Sequence, residues 1–306
     1  MYEAFYGFRE KPFSLQPDPA FLYLGKRHGM AMTMLEYGLM NRAAITVITG
    51  EIGSGKTTLI RRLLEEIGED ISVGLISNTH RSFGELLQWI SLAFDLEYKD
   101  REKVELYQGF IDYLVEQYAH NRRTVLIVDE AQNMDPLTLE ELRLISNVNA
   151  DKDQVLQLIL VGQPELRKTL RRPDLEQLAQ RVAVDYHLAP LEAEETDHYI
   201  QHRLTVAGGD PELFDSDARR FIHHQADGIP RLINSLCDTA LVYGFAAQAP
   251  RISAELVHEI VQDKSRNGGG LLINRKRNVE ETSQSDDIHA WDEPETTITR
   301  MVKEPK

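Results

Sequence analysis

The sequence predicts an α/β fold in which a layered α/β domain is followed by a small all-helical one. Three observations carry this. A complete phosphate-binding loop, Gly50-Glu51-Ile52-Gly53-Ser54-Gly55-Lys56-Thr57, lies between the apolar run Ala44 to Ile48 and a stretch of helical spacing from Thr58 to Leu64. Strand-like and helix-like patterns alternate from about residue 31 to about residue 190. From about 191 to 264 the patterns are helical throughout.

Residues 1–30 are rich in aromatics and prolines. Pro12, Pro17 and Pro19 exclude a long helix there, and the segment is expected to pack on the core. Within 31–190, the expected phosphate-loop core, the apolar runs predict strands at Ala44–Thr49, Ile71–Ser77, Thr124–Asp129, Gln154–Val161 and Val182–Leu188. Helical spacing falls between them, around Phe83–Phe94, Val104–Tyr118 and Leu137–Asn147. Residues 191–264 predict a helical lid built from Glu192–Val206, Asp215–Gln225, Pro230–Phe245 and Ser253–Asp263. Asp215 or Ser216, and Ser253, stand as N-caps. Residues 265–306 read as a disordered polar tail, with Gly268-Gly269-Gly270, Arg275-Lys276-Arg277 and a Ser/Thr/Asp/Glu-rich run.

With 306 residues the chain can bury a sizeable core, and 42% apolar with 27% charged residues is ordinary globular composition. A net charge of −15 disfavours a protein that grips nucleic acid by diffuse electrostatics. Cys237 is the single cysteine, so no intrachain disulfide can form. The N-terminus has no secretory apolar region and no stretch is long enough to span a bilayer. A cytoplasmic location is expected, with any membrane connection made through a partner.

The glycines of the loop let successive N–H groups converge on one point, and the following helix N-terminus adds its positive end. Gly50 to Thr58 would therefore cradle a nucleotide's phosphates, with Lys56 reaching the β- and γ-phosphates and the Thr57 hydroxyl ligating Mg²⁺. About 70 residues on, Val125-Leu126-Ile127-Val128-Asp129-Glu130 reads as a buried strand that delivers two acids to the same edge. Asp129 would hold Mg²⁺ and Glu130 would polarise an attacking water. Gln163, in Val161-Gly162-Gln163-Pro164, is placed to contact the γ-phosphate or align the water. Asn78 is a candidate to restrain Glu130. Arg231, in Gly228-Ile229-Pro230-Arg231, opens a helix of the lid and would report nucleotide state from there. Arg181 precedes the last strand and is a candidate to complete a neighbouring subunit's site, with Arg171 and Arg172 as competitors. His198 with His202, and His223-His224, lack a metal-ligand pattern.

With these residues in place, the chain resembles the AAA+ ATPases of the general-secretion-pathway A, or ExeA, type from about residue 1 to 264. The resemblance rests on Phe5-Tyr6-Gly7-Phe8 with Lys11-Pro12-Phe13 and Pro17-Asp18-Pro19, on the phosphate loop, and on Asp129-Glu130-Ala131-Gln132-Asn133. Val161-Gly162-Gln163-Pro164-Glu165-Leu166 and Gly228-Ile229-Pro230-Arg231 complete it. It implies a three-layer αβα core with a parallel sheet and a helical lid. It also implies Mg²⁺-dependent ATP hydrolysis, a homo-oligomer, and a membrane-bound envelope, pilus or exopolysaccharide-export apparatus as partner. Secretion-type members often continue into a membrane span and a peptidoglycan-binding domain, and neither follows residue 264 here. The short polysaccharide- or pilus-associated members are therefore the nearer expectation. Related ATPases act as DNA-binding adaptors in transposition, so that reading stands as an alternative beside a scaffold that binds ATP with little turnover. Tyr23 and Leu24 are expected to border the adenine.

Overall fold

Buried strands at the centre and half-buried ones at the edges describe a sheet covered on both faces. The computed structural model describes residues 1–77, 85–150 and 153–266. In chain order the elements are α1 (Glu3–Tyr6), α2 (Lys26–Met40), β1 (Ile45–Gly50), α3 (Lys56–Glu66), β2 (Ile71–Ile76), α4 (Leu86–Ala93), α5 (Lys103–Ala119) and β3 (Arg123–Val128). Then come α6 (Pro136–Ile145), β4 (Asn149–Ala150), β5 (Asp153–Gln154), β6 (Leu156–Gly162), α7 (Pro164–Leu170), α8 (Glu176–Ala179) and β7 (Val182–Leu188). Four helices close the described chain: α9 (Ala193–Val206), α10 (Ser216–Ala226), α11 (Pro230–Ala246) and α12 (Ala254–Arg266).

Five strands form one parallel sheet in the order β2-β3-β6-β1-β7. β1 and β6 are buried at every position, which their unbroken Ile/Val/Leu runs require of a sheet with helices on both faces. One face packs Ile45, Val47, Leu126, Val128, Leu158 and Leu160 under α4–α8. The other packs Ile48, Val125, Ile127, Ile159 and Val161 under α2 and α3. Because Ile48 pairs with Val161 and Val128 with Leu160, all strands end together, and the loops after β1, β3 and β6 meet on one edge.

Several expectations need correction. The segment 1–30 packs chiefly on the helices α9–α12, not on the sheet. Tyr2, Phe8, Phe13 and Phe21 share a buried cluster with Tyr199, Phe214, Ile233 and Ile260. The sheet faces are already covered, whereas four short helices leave an apolar gap that these rings fill. Polar bonds fix the arrangement: Arg9 N–H donates to the Ala207 carbonyl at 2.8 Å, and the Arg203 guanidinium donates to the Pro12 carbonyl at 2.6 Å. Contact with the core is made by Leu22, packed against the face under α2 and α3, and by Arg61 donating to the Pro17 carbonyl at 2.6 Å.

A division at residue 30 also cuts through α2, which starts at Lys26 and places His28, Ala31, Met32, Leu35 and Leu39 on its buried face. Gln154 belongs to a short antiparallel hairpin, so the strand expected from Gln154 starts at Leu156. α12 runs to Arg266, past the expected end of the lid. The remaining tail, with Arg275-Lys276-Arg277, lies outside the described residues, as do Asn78 and the first residues of the helix expected at Phe83.

Candidate nucleotide site

β1 delivers Gly50 to the edge of the sheet, and the chain must turn tightly before α3 begins. Gly53 and Gly55 make that turn with φ of 79° and 100°, a region closed to most side chains. A Cβ on Gly50 would stand 2.8 Å from the Leu188 carbonyl, so the loop is also pressed against the last strand. Gly55 caps α3 without a side-chain bond, which leaves the helix's first N–H groups for an anion.

Lys56 is buried inside this loop, and its ammonium donates to the carbonyls of Gly50 at 2.8 Å and Glu51 at 2.9 Å. Burial pushes its pKa down, opposed by the carboxylates of Glu130, Asp129 and Glu51. The Thr57 hydroxyl donates to Asp129 Oδ2 at 2.9 Å, and Asp129 Oδ1 accepts from the Glu130 N–H at 2.9 Å. Burial raises the Asp129 pKa, against the Thr57 and Glu130 N–H bonds that favour its anion. A hydroxyl and a buried carboxylate in contact are hard oxygen donors of the kind that Mg²⁺ takes. The buried Ser54 hydroxyl has no hydrogen-bond partner among the described residues, a further polar group in the loop. These residues fit a magnesium–phosphate group. Thr58 continues the helix, and Glu51 and Ile52 form the exposed lip of the loop.

Glu130 follows Asp129 with a left-handed backbone, φ 55° and ψ 34°. Its carboxylate accepts from the Gln132 amide at 2.6 Å and from the Gln163 amide at 3.2 Å. Gln163, at the tip of β6, is thus brought to Glu130. Arg231 comes from the opposite side on α11, and its main-chain N–H donates to the Gly53 carbonyl at 3.1 Å. A cleft between the sheet edge and the bundle is lined by Tyr23, Lys56, Thr57, Glu130, Tyr199 and Arg231, among others. Leu24, expected beside Tyr23, does not line it and is half exposed.

Arg181 is not part of this cleft. It stands before Val182, which pairs with Ile45 at the start of β1, so it lies at the other end of the sheet from the phosphate loop. There it donates to the Ser146 carbonyl at 3.0 Å and bonds Asn147, and burial beside Arg143 lowers its pKa. Arg172 pairs with Asp174 through two 2.9 Å bonds, and Arg171 is exposed at the end of α7. Among the described residues no group of His, Cys, Asp and Glu is arranged to hold a metal ion by itself. His223 instead bonds the Thr196 hydroxyl at 2.9 Å.

Two residues of the site carried no role in the sequence reading. His28 reaches under the loop from α2, and its Nε2 lies 2.8 Å from the Ser54 carbonyl. Since a carbonyl only accepts, Nε2 is the protonated nitrogen of the ring. An ionisable residue in register with Ala31, Met32 and Leu35 was the available signal. Gln132 is the other, two residues beyond Glu130; it belongs to the Asp129–Asn133 motif, but nothing local in the sequence gives its side chain a role.

The AAA domain family matches residues 40–170, the stretch from the end of α2 through α7. The general secretion pathway protein A of Aeromonas hydrophila is 42% identical over 259 residues, which cover 84% of this chain. This chain belongs to the AAA+ ATPases of the general-secretion-pathway A type. It spans 47% of the length of that relative. Solved structures share the fold of this AAA+ chain at low identity. The ORC2 protein of Aeropyrum pernix, in ADPNP and ADP complexes, superposes with a TM-score of 0.62 at 17% identity, covering 83% of this chain and 72% of its own. A Walker-type ATPase of Pyrococcus abyssi gives 0.60 at 18% identity, covering 90% and 80%. Membership of this class implies nucleotide binding by this AAA+ protein.

Proposed function

We propose that this AAA+ protein hydrolyses Mg²⁺-bound ATP and uses the cycle to move its helical bundle against its sheet, as a switch in an envelope-export apparatus. The observation that carries the reading is the meeting of Lys56, Thr57, Asp129 and Glu130 on one sheet edge, with Arg231 facing them from the bundle. Lys56 and the loop N–H groups bind the phosphates; Thr57 and Asp129 hold the metal. Bound there, Mg²⁺ would neutralise charge on the phosphates as it develops. Glu130 orients the attacking water and draws off its proton, Gln163 aligns beside it, and Arg231 senses the terminal phosphate. Because Arg231 opens α11, a shift of its guanidinium is a shift of the bundle.

The kinship with a secretion-pathway protein supports envelope export as the setting, and a homo-oligomer is the working form we propose. No helix of the described residues is long and apolar enough to cross a membrane. We propose membrane-bound export machinery as the partner. The net charge of −15 keeps DNA behind this reading.

The test is Mg²⁺-ATP turnover against protein concentration for the wild type, Lys56→Ala and Glu130→Gln. Lys56→Ala should lose nucleotide affinity. Glu130→Gln should bind normally and hydrolyse about 10² to 10⁴ times more slowly. A wild type that binds ATP yet shows no turnover at any concentration would replace this reading with a nucleotide-gated scaffold.

A further inference from the structure

The tips of β3 and β6 are joined through one side chain. The main-chain N–H of Gln163 donates to Oε1 of Gln132 at 2.9 Å. A peptide N–H can only donate, so this bond fixes the orientation of the Gln132 amide. Its nitrogen is thereby turned to Glu130, where Nε2 donates to Oε2 at 2.6 Å. The side-chain amide of Gln163 reaches the same carboxylate oxygen at 3.2 Å, which closes a ring of three hydrogen bonds. The space for it is made by Gly162, where a Cβ would stand 2.9 Å from Gln132 Oε1. Glu130 enters the ring from a left-handed backbone turn that non-glycine residues seldom adopt, so its position is imposed by its surroundings.

We propose that Gln132 is the positioning residue that couples the main chain at the tip of β6 to the carboxylate of Glu130. The inference rests on the ATPase reading above and deepens it. A planar amide bonded at both ends transmits displacement: when the Gln163 main chain moves, Oε1 must follow or lose its bond, and Nε2 turns the carboxylate with it. The closed ring leaves Glu130 little freedom to relax independently. Displacement of the β6 main chain by a nucleotide's terminal phosphate is thus passed to the group that orients water through Gln132, beside the direct bond from the Gln163 side chain.

The experiment uses the full chain with Mg²⁺ and a non-hydrolysable ATP analogue, followed by hydrogen exchange of peptides covering 130–134 and 161–166. In the wild type the analogue should slow exchange in both segments. In Gln132→Ala the response at 161–166 should persist and the response at 130–134 should fall to about half or less, since the Gln163 side-chain bond to Glu130 remains. Turnover should fall about tenfold, part of what a positioned acid–base group contributes, while affinity for the analogue changes less than about twofold. Gln132→Met keeps the length of the side chain but offers no amide to either partner, and should show the same loss while unfolding stays cooperative. The proposal is overturned if segment 130–134 responds in Gln132→Ala as fully as in the wild type, or if the wild type shows no response there. It is also overturned if affinity and melting temperature collapse together with turnover, which would mark Gln132 as merely structural. Failure of the ATPase reading shows separately, as wild-type turnover no greater than that of Lys56→Ala, and the exchange data decide the coupling in either case.

Discussion

The main-chain N–H of Arg231 donates to the carbonyl of Gly53 at 3.1 Å, so the helical bundle is bonded directly to the phosphate loop. The approach is close enough that a Cβ built on Gly53 would lie 2.4 Å from the Cβ of Arg231. Gly53 also needs its positive φ of 79°. Gly53→Ala should therefore strain the loop by about 1–2 kcal/mol and push α11 away. The expected outcome is a lowered melting temperature and nucleotide affinity weakened about tenfold, an effect of about 1.4 kcal/mol. Adding Arg231→Gly should restore part of the melting temperature, because it removes the opposing Cβ, whereas adding Arg231→Ala should restore none. Calorimetry of the wild type and these three variants checks this.

Arg203 holds the N-terminal segment to the bundle. From a buried position on α9 it donates to the carbonyls of Pro12 at 2.6 Å and Ser14 at 3.4 Å, and to the Tyr199 hydroxyl at 2.9 Å. Its guanidinium also lies 4.8 Å from the centre of the Phe21 ring. Arg203→Met would keep most of the volume and leave two carbonyls without their donor. A loss of about 2–4 kcal/mol in urea unfolding is expected, with faster proteolysis within residues 1–20. Unchanged stability would mean that the aromatic rings alone hold this segment.

His28 makes stability depend on pH with a defined sign. Burial lowers its pKa below the usual value of about 6.5, with the Ser54 bond and Glu195 opposing. The unfolded chain then takes up a proton at a pH where the folded chain does not. The contribution is complete above about pH 6.5 and is lost as pH falls toward the folded value, at up to about 1.4 kcal/mol per pH unit. His202 and His223 are also lowered by burial and act in the same direction. Urea midpoints should drop between about pH 7.5 and about pH 5.5. His28→Gln, which can still donate to the Ser54 carbonyl, should flatten that drop without abolishing it.

How much of this was legible in the sequence follows from how local each feature is. β7 lies where the sequence placed it, Val182–Leu188, since its runs and boundaries are set by neighbouring residues. Gly53, Gly55 and Lys56 were legible for the same reason: the turn and the helix start are written in eight consecutive positions. The packing of Phe8 and Phe13 was not, because it depends on an apolar gap between helices that begin some 180 residues later. Gln132 was quoted as part of a motif yet had no role, since its meaning comes from Gln163, 31 residues on. His28 stayed hidden because the loop it supports lies 26 residues away, on another element.

Arg181 supplies the last prediction. Its bonds to Ser146 and Asn147 and its place at the far end of β7 keep it from its own chain's phosphate loop. If it acts on a nucleotide, it acts on a neighbour's. Arg172 is held by Asp174 and is the weaker candidate, while exposed Arg171 is the natural control. Arg181→Ala should keep ATP affinity and lose about 10³-fold or more in turnover, in the range of an arginine supplied in trans. Arg171→Ala should retain turnover. Mixing Arg181→Ala with Glu130→Gln should restore activity, since one interface then pairs an intact Glu130 with an intact Arg181. No recovery on mixing, with specific activity flat against concentration, would make Arg181 a structural tie between β7 and α6 and the ATPase a monomeric switch.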